Sequence, residues 1–109
     1  MRTIQEQYHV SAVIPTLDAA SELPRMLAAL ADSPLVGEIV VVDGGSRDES
    51  VAIARAAGVR VIEAPRGRGS QFAAGAVSAT GEWLLFLHAD CRPLPGWEDA
   101  VRAFIARLP

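Results

Sequence analysis

This sequence predicts an α/β fold: a mostly parallel sheet with helices on both faces, in the order βαβαβαβα. Three observations carry that reading. Short apolar runs alternate with segments whose apolar residues recur at helical spacing. The runs stand about 20 to 30 residues apart, as strands joined by crossover helices do. Polar residues and glycines gather just after the runs, where such sheets bind ligands.

Val10 to Pro15 is the first apolar run and the first predicted strand. Leu23, Met26, Leu27 and Leu30 follow at i, i+3, i+4 and i+7, one face of a helix. Glu38 to Asp43 is β-branched and apolar, a buried second strand. Ser46 with Glu49 reads as a capping box that opens a helix through Ala57, with Asp48 a first-turn acid and Gly58 the stop. Val59 to Glu63 is the third strand, and Pro65 to Gly69 a Gly/Arg loop. Ser70 caps a small, Ala-rich third helix to about Thr80, and Gly81 ends it. Glu82 to His88 is the fourth strand. Trp97, Val101, Phe104, Ile105 and Leu108 line one face of a last helix.

The chain has 109 residues, room for one domain, and half of them are apolar. All ten basic residues are Arg, and there is no Lys, so P-loop and Schiff-base lysine chemistry are excluded. A net charge of −3 with no basic run argues against nucleic acid as a partner. One cysteine, Cys91, excludes an intrachain disulfide and reads as a small buried thiol. No apolar stretch approaches the roughly 20 residues of a membrane span. Met1 to His9 is polar and carries no signal-peptide core, so a cytoplasmic setting is expected.

Three segments after strands carry chemistry. Asp43-Gly44-Gly45-Ser46-Arg47-Asp48 follows strand two, where an acid accepts hydrogen bonds from a base or ribose and glycines let the backbone approach a ligand. The same pattern also suits a tight turn capped by Asp43. Arg66-Gly67-Arg68-Gly69-Ser70-Gln71 opens a helix with two arginines, which suits a diphosphate or a solvated loop. His88-Ala89-Asp90 ends strand four. Strand alternation would set His88 and Asp90 on one side, where a carboxylate can bind Mg²⁺ or Mn²⁺; the alternative is a plain turn. Trp83 and Trp97 read as core or strand-flank residues, with Trp97 within reach of a ligand.

Taken together, VIPTLDAASELPRML, EIVVVDGGSRDES and RGRGSQFAAGAVSATGEWLLFLHAD resemble the family 2 glycosyltransferases of the GT-A fold over residues 10 to 97. Within that family the last stretch is most similar to the bacterial radical-SAM/selenodomain-associated transferases. The resemblance implies the Rossmann-like N-terminal half of a GT-A domain over 1–109, with the acceptor half and the catalytic base expected beyond Pro109. It implies a nucleoside-diphosphate sugar, most often a UDP-sugar, transferred with inversion to an acceptor hydroxyl, and a divalent metal, Mn²⁺ or Mg²⁺. By position it places Pro15, Thr16 and Asp18 in the first nucleotide loop and Asp43 with Gly44 at the base. Arg66, Arg68 and Gln71 fall by the diphosphate and ribose, with His88 and Ala89 beside them. Asp90 falls on the metal, with His88 a second possible ligand.

Departures accompany the match. Asp18-Ala19 stands for the usual Asn-Glu, Ala73 for a helix asparagine, and His88 for the first acid of Asp-x-Asp. Glu98 and Asp99 have no argument for the role of base. Two rival readings are a non-catalytic structural module and a GT-A-like nucleotidyltransferase; the second expects a Gly-rich loop after strand one, where Pro15-Thr16-Leu17-Asp18 stands. An unpaired apolar fourth strand would also favour a homo-oligomer through its edge.

Overall fold

The computed structural model describes residues 9–108. The polar segment expected at Met1 to His9 falls outside them except for His9, which is exposed. The element order is β1 (Val10–Thr16), α1 (Leu23–Ala31), β2 (Val36–Asp43), α2 (Ser50–Ala56), β3 (Arg60–Glu63), α3 (Arg68–Ser78), β4 (Trp83–Phe86) and α4 (Trp97–Ala106). The strands form one parallel sheet in the order β3-β2-β1-β4. The predicted fold class is therefore the observed one.

Alternation along β1 and β2 sorts the core into two layers. Ala12, Ile14 and Val41 meet the apolar stripe of α1 (Leu23, Met26, Leu27 and Leu30) together with Ala54 of α2. Val13, Val40 and Val42 face the opposite side, against Ala74 of α3. Full burial of Ile14, Leu23 and Leu30 stabilises the fold by roughly 1.5–3 kcal/mol each. α3 reaches the sheet because Gly75 has no side chain: a Cβ there would run into Val13 Cγ1 and come within 3.1 Å of Val42 Cγ2. α4 packs Ile105 against Val10 and Leu35 beside Trp83 and Leu85. Phe104 and Leu108, expected on its buried face, are 55% and 42% exposed.

Two helix starts differ from the sequence reading. α2 begins at Ser50, so Ser46 and Glu49 form no capping box; the Ser46 hydroxyl bonds Asp43 instead. Asp48 lies ahead of the helix and accepts from the Ser50 amide and hydroxyl, which hold its carboxyl below the ordinary value. α3 begins at Arg68 with Gly67 in the cap position, so Ser70 lies inside the first turn.

The amino ends of the strands are closed by one carboxylate. Glu38 on β2 accepts from the Ser11 hydroxyl of β1 (2.7 Å), Arg60 of β3 (2.7 Å) and the Thr80 amide before β4 (2.8 Å). Arg60 also donates to the carbonyl of Ser78, and the Gly81 amide donates to the Ser11 hydroxyl. Partial burial works against the charge on Glu38, but these bonds outweigh it and pull its pKa down to about 2. Gly81 is required here, since a Cβ would sit 2.8 Å from the His9 carbonyl oxygen.

Candidate functional site

β1, β2 and β3 run outward in one direction, and β4 returns to the other side of β1. The order therefore reverses between β1 and β4, and the crevice beyond their carboxyl ends is where open parallel sheets bind ligands. The crevice is widened because β4 leaves early. It pairs with β1 only from Val10↔Trp83 to Val13↔Phe86, while β1 runs on to Thr16 beside β2. An open cavity of about 440 Å³ fills the space.

Its first wall is the end of β1 and the turn after it: Pro15, Thr16, Leu17, Asp18 and Ala19. The Thr16 hydroxyl is turned back to the Ile14 carbonyl (3.0 Å), so its side chain is buried within its own strand. Asp18 has φ +50°, the left-handed region that Asp tolerates better than most residues. It is held there across the gap to the next loop: its amide donates to the Ser46 hydroxyl (2.8 Å) and its carboxylate accepts from the Arg47 amide (2.7 Å).

The loop after β2 does not reach the cavity. Asp43 is 2% exposed, and its carboxylate accepts from the Gly45 amide, the Ser46 amide and the Ser46 hydroxyl. These bonds make the capped turn, one of the two readings left open by the sequence. Gly44 is also buried behind the wall, and the space its Cβ would take is occupied by the Gln71 amide, 2.8 Å away. The close approach this glycine permits is to Gln71.

The second wall is the β3–α3 loop with the start of α3: Arg66, Gly67, Arg68 and Gln71. Gly67 has φ +141°, accessible only to glycine, and the chain turns there into the helix. No side chain caps α3, so its first-turn amides remain available at the cavity, flanked by two exposed arginines. Gln71 differs from them. It is 5% exposed; its amide nitrogen donates to the Thr16 and Val42 carbonyls (3.1 and 2.9 Å), and its oxygen accepts from the Gly67 amide (3.2 Å).

The third wall is His88, Ala89 and Asp90. These residues are not a strand end. β4 stops at Phe86, and the Cys91 amide closes a turn on the His88 carbonyl (3.0 Å), so strand alternation does not govern His88 and Asp90. Both side chains are exposed. The His88 ring stands 6.3 Å from Phe72, which in turn meets Phe86 edge-on at 4.7 Å. Cys91, expected to be buried, is exposed because it follows this early turn. Trp97 packs into the core, away from the cavity.

The cavity thus gathers Pro15, Thr16, Asp18, Arg66, Arg68, Gln71, His88, Ala89 and Asp90, and leaves out Asp43 and Gly44. Sequence reasoning missed Glu22. It also lines the cavity but stands ahead of the apolar stripe of α1, from which the helix start was read, and the stripe gives no signal for a polar residue at the site. Glu98 and Asp99 lie elsewhere, bonded to Ser33 and Arg102. Among the described residues no three His, Cys, Asp or Glu side chains form a metal cage, and no helix is long and apolar enough to cross a membrane. Chemically, the cavity offers two arginines and a helix N-terminus to an anion on one side, and an exposed carboxylate and imidazole on the other.

Comparison with known proteins bears on this geometry. The family pattern described as glycosyl transferase family 2 matches residues 11–107. A PGL/p-HBAD biosynthesis glycosyltransferase of Mycobacterium tuberculosis is 41% identical over 88 residues, 73% of this chain and 34% of that protein. The crystal structure of glucosyl-3-phosphoglycerate synthase from Mycobacterium tuberculosis with Mn²⁺, UDP and glucosyl-3-phosphoglycerate superposes with a TM-score of 0.70 at 25% identity, over 83% of this chain and 37% of that one. A further mycobacterial protein shares the fold with a TM-score of 0.78 at 24% identity, over 94% of this chain and 38% of that one. The chain spans about a third of the length of these proteins.

Proposed function

This chain belongs to glycosyl transferase family 2, and on that premise we propose that its cleft takes the nucleoside diphosphate of an activated sugar, most often a UDP-sugar. The observation that carries the reading is the convergence of Arg66, Arg68, the uncapped start of α3 and Asp90 on one cavity at the point where the strand order reverses. An anion needs the first three, and a cation bound to that anion needs the fourth.

Arg66 and Arg68 neutralise the diphosphate, and the α3 amides orient it. Pro15, Thr16 and Asp18 shape the side on which the nucleoside lies, with Ala89 at the floor. Asp43 holds the β2–α2 turn that in turn holds Asp18, so its part in base recognition passes through that turn. Asp90, with His88 beside it, would hold a divalent ion. The donor set fits one: a single exposed carboxylate suits Mn²⁺ or Mg²⁺, which complete their shells from phosphate oxygens and water, and imidazole is acceptable to Mn²⁺. When bound, the ion supplies charge neutralisation to the leaving diphosphate. UDP with Mn²⁺ or Mg²⁺ in the glucosyl-3-phosphoglycerate synthase structures supports this choice of cofactor.

In the whole reaction a hydroxyl attacks the anomeric carbon with inversion while the nucleoside diphosphate departs. No residue of the cavity is assigned as the base for that hydroxyl, so the 109-residue chain is expected to bind donor and not to transfer sugar. The radical-SAM/selenodomain-associated subgroup and a cytoplasmic setting complete the proposal. So does self-association of a second copy along β4, an outer strand of the sheet with Leu84 and Phe86 exposed. A thermal-shift series tests the function: UDP with Mn²⁺ should raise the melting temperature more than UMP or free phosphate does. Equal response to all three would reject a diphosphate cleft, and glycosyl transfer by the purified chain would reject its inactivity. A concentration-independent monomer mass would reject the dimer.

A further inference from the structure

A residue assigned to nucleotide contact by its position has no polar atom left to offer. Gln71 is almost fully buried, and both ends of its amide are committed to backbone groups of three different segments: Thr16 at the end of β1, Val42 near the end of β2, and Gly67 at the turn into α3. The two carbonyls belong to adjacent strands, and the Gly67 amide sits between Arg66 and Arg68. Space for the amide exists only because Gly44 lacks a Cβ, whose place lies 2.8–2.9 Å from the amide's own atoms.

We propose that Gln71 is a positioning residue: its amide clamps the arginine-bearing start of α3 to the ends of β1 and β2, so that the wall facing a nucleoside diphosphate is formed before the ligand arrives. The inference rests on the donor-cleft reading above. Its physical basis is preorganisation. A helix start with glycines at 67 and 69 must otherwise be ordered on binding, at the expense of affinity. Gln71 acts through Gly67 and the helix, and touches no ligand itself.

Three variants test this, each titrated with UDP at saturating Mn²⁺ well below its own melting temperature. Gln71→Met keeps the volume and loses all three bonds. Gly44→Ala keeps Gln71 and displaces its amide. Gln71→Glu, when ionised, can donate to neither carbonyl, and when protonated regains one donor. The first two should weaken UDP binding about tenfold relative to wild type. Gln71→Glu should show a similar deficit at about pH 8 that narrows at about pH 5.5, because burial raises a carboxyl's pKa into that interval. Asp18, Glu22, Asp43, His88 and Asp90, the other ionisable groups around the cleft and its supporting turn, are common to wild type and variant, so the ratio of the two affinities is what is read. A lowered melting temperature with wild-type affinity in all three, at both pH values, would make Gln71 a structural brace only and overturn the proposal. Absence of UDP binding by wild type would instead overturn the donor-cleft reading, so the two failures are told apart.

Discussion

At the amino ends of the strands a single carboxylate, Glu38, is met by Ser11, Arg60 and Thr80, and the backbone around it is tied down from four segments. At the carboxyl ends Arg66, Arg68, His88 and Asp90 stand exposed around a cavity, with no side-chain hydrogen bond or ion pair among the described residues. Both ends are charged, and they differ in whether the charges have protein partners. Satisfied groups hold strands together, while unsatisfied ones on a preformed wall are available to a ligand. Substitutions at the two ends should therefore separate stability from binding.

The largest effect is expected at the closed end. Glu38→Ala strands the Ser11 hydroxyl, the Thr80 amide and Arg60 together, and should cost about 2–4 kcal/mol in denaturant unfolding. UDP affinity of the folded fraction should stay at the wild-type level. Acid should reproduce most of that loss. With the Glu38 pKa lowered from 4.5 to about 2, its stabilisation is fully present above pH 4.5 and disappears as pH falls towards 2. The loss should amount to roughly 3 kcal/mol in unfolding curves taken across that window, and Glu38→Gln should flatten the slope. Gly81→Ala should come next, at about 1–3 kcal/mol, since the new methyl meets the His9 carbonyl and the Ser11 backbone.

The open end should invert the pattern. Arg68→Ala should change unfolding free energy by no more than about 0.5 kcal/mol while weakening UDP binding about tenfold. A destabilisation there equal to that of Glu38→Ala would erase the distinction between the ends.

The sequence makes the fold legible because period and position agree. The Leu23-Met26-Leu27-Leu30 stripe and the β-branched run before Asp43 each admit one reading, and the structure buries both. The Glu38 cluster is not legible, because its partners lie 27 and 42 residues away and meet only through strand order. The same gap accounts for Asp43 and Gly44. Four loops follow four strands, but which of them share a crevice depends on the order β3-β2-β1-β4, and the apolar runs do not encode that order. The run from Glu82 to His88 hides where β4 stops, because pairing with β1, and not hydropathy, ends it at Phe86. Arg66, Arg68 and Asp90 could be placed at the cavity from the sequence because they are exposed and, among the described residues, make no side-chain hydrogen bond that a distant segment would have to supply. What it could not show is how Gln71 and Gly44 pack on each other, because Gln71 bonds backbone that is distant in sequence.

The central claim is that the open end is a metal-assisted nucleoside-diphosphate site, and calorimetric titration of UDP with and without Mn²⁺, into wild type and Asp90→Ala, tests it most directly. The account predicts binding that strengthens with Mn²⁺ in wild type and loses that metal dependence in Asp90→Ala. Binding of UDP that is indifferent to Mn²⁺, or equally metal-dependent in the folded variant, would contradict it.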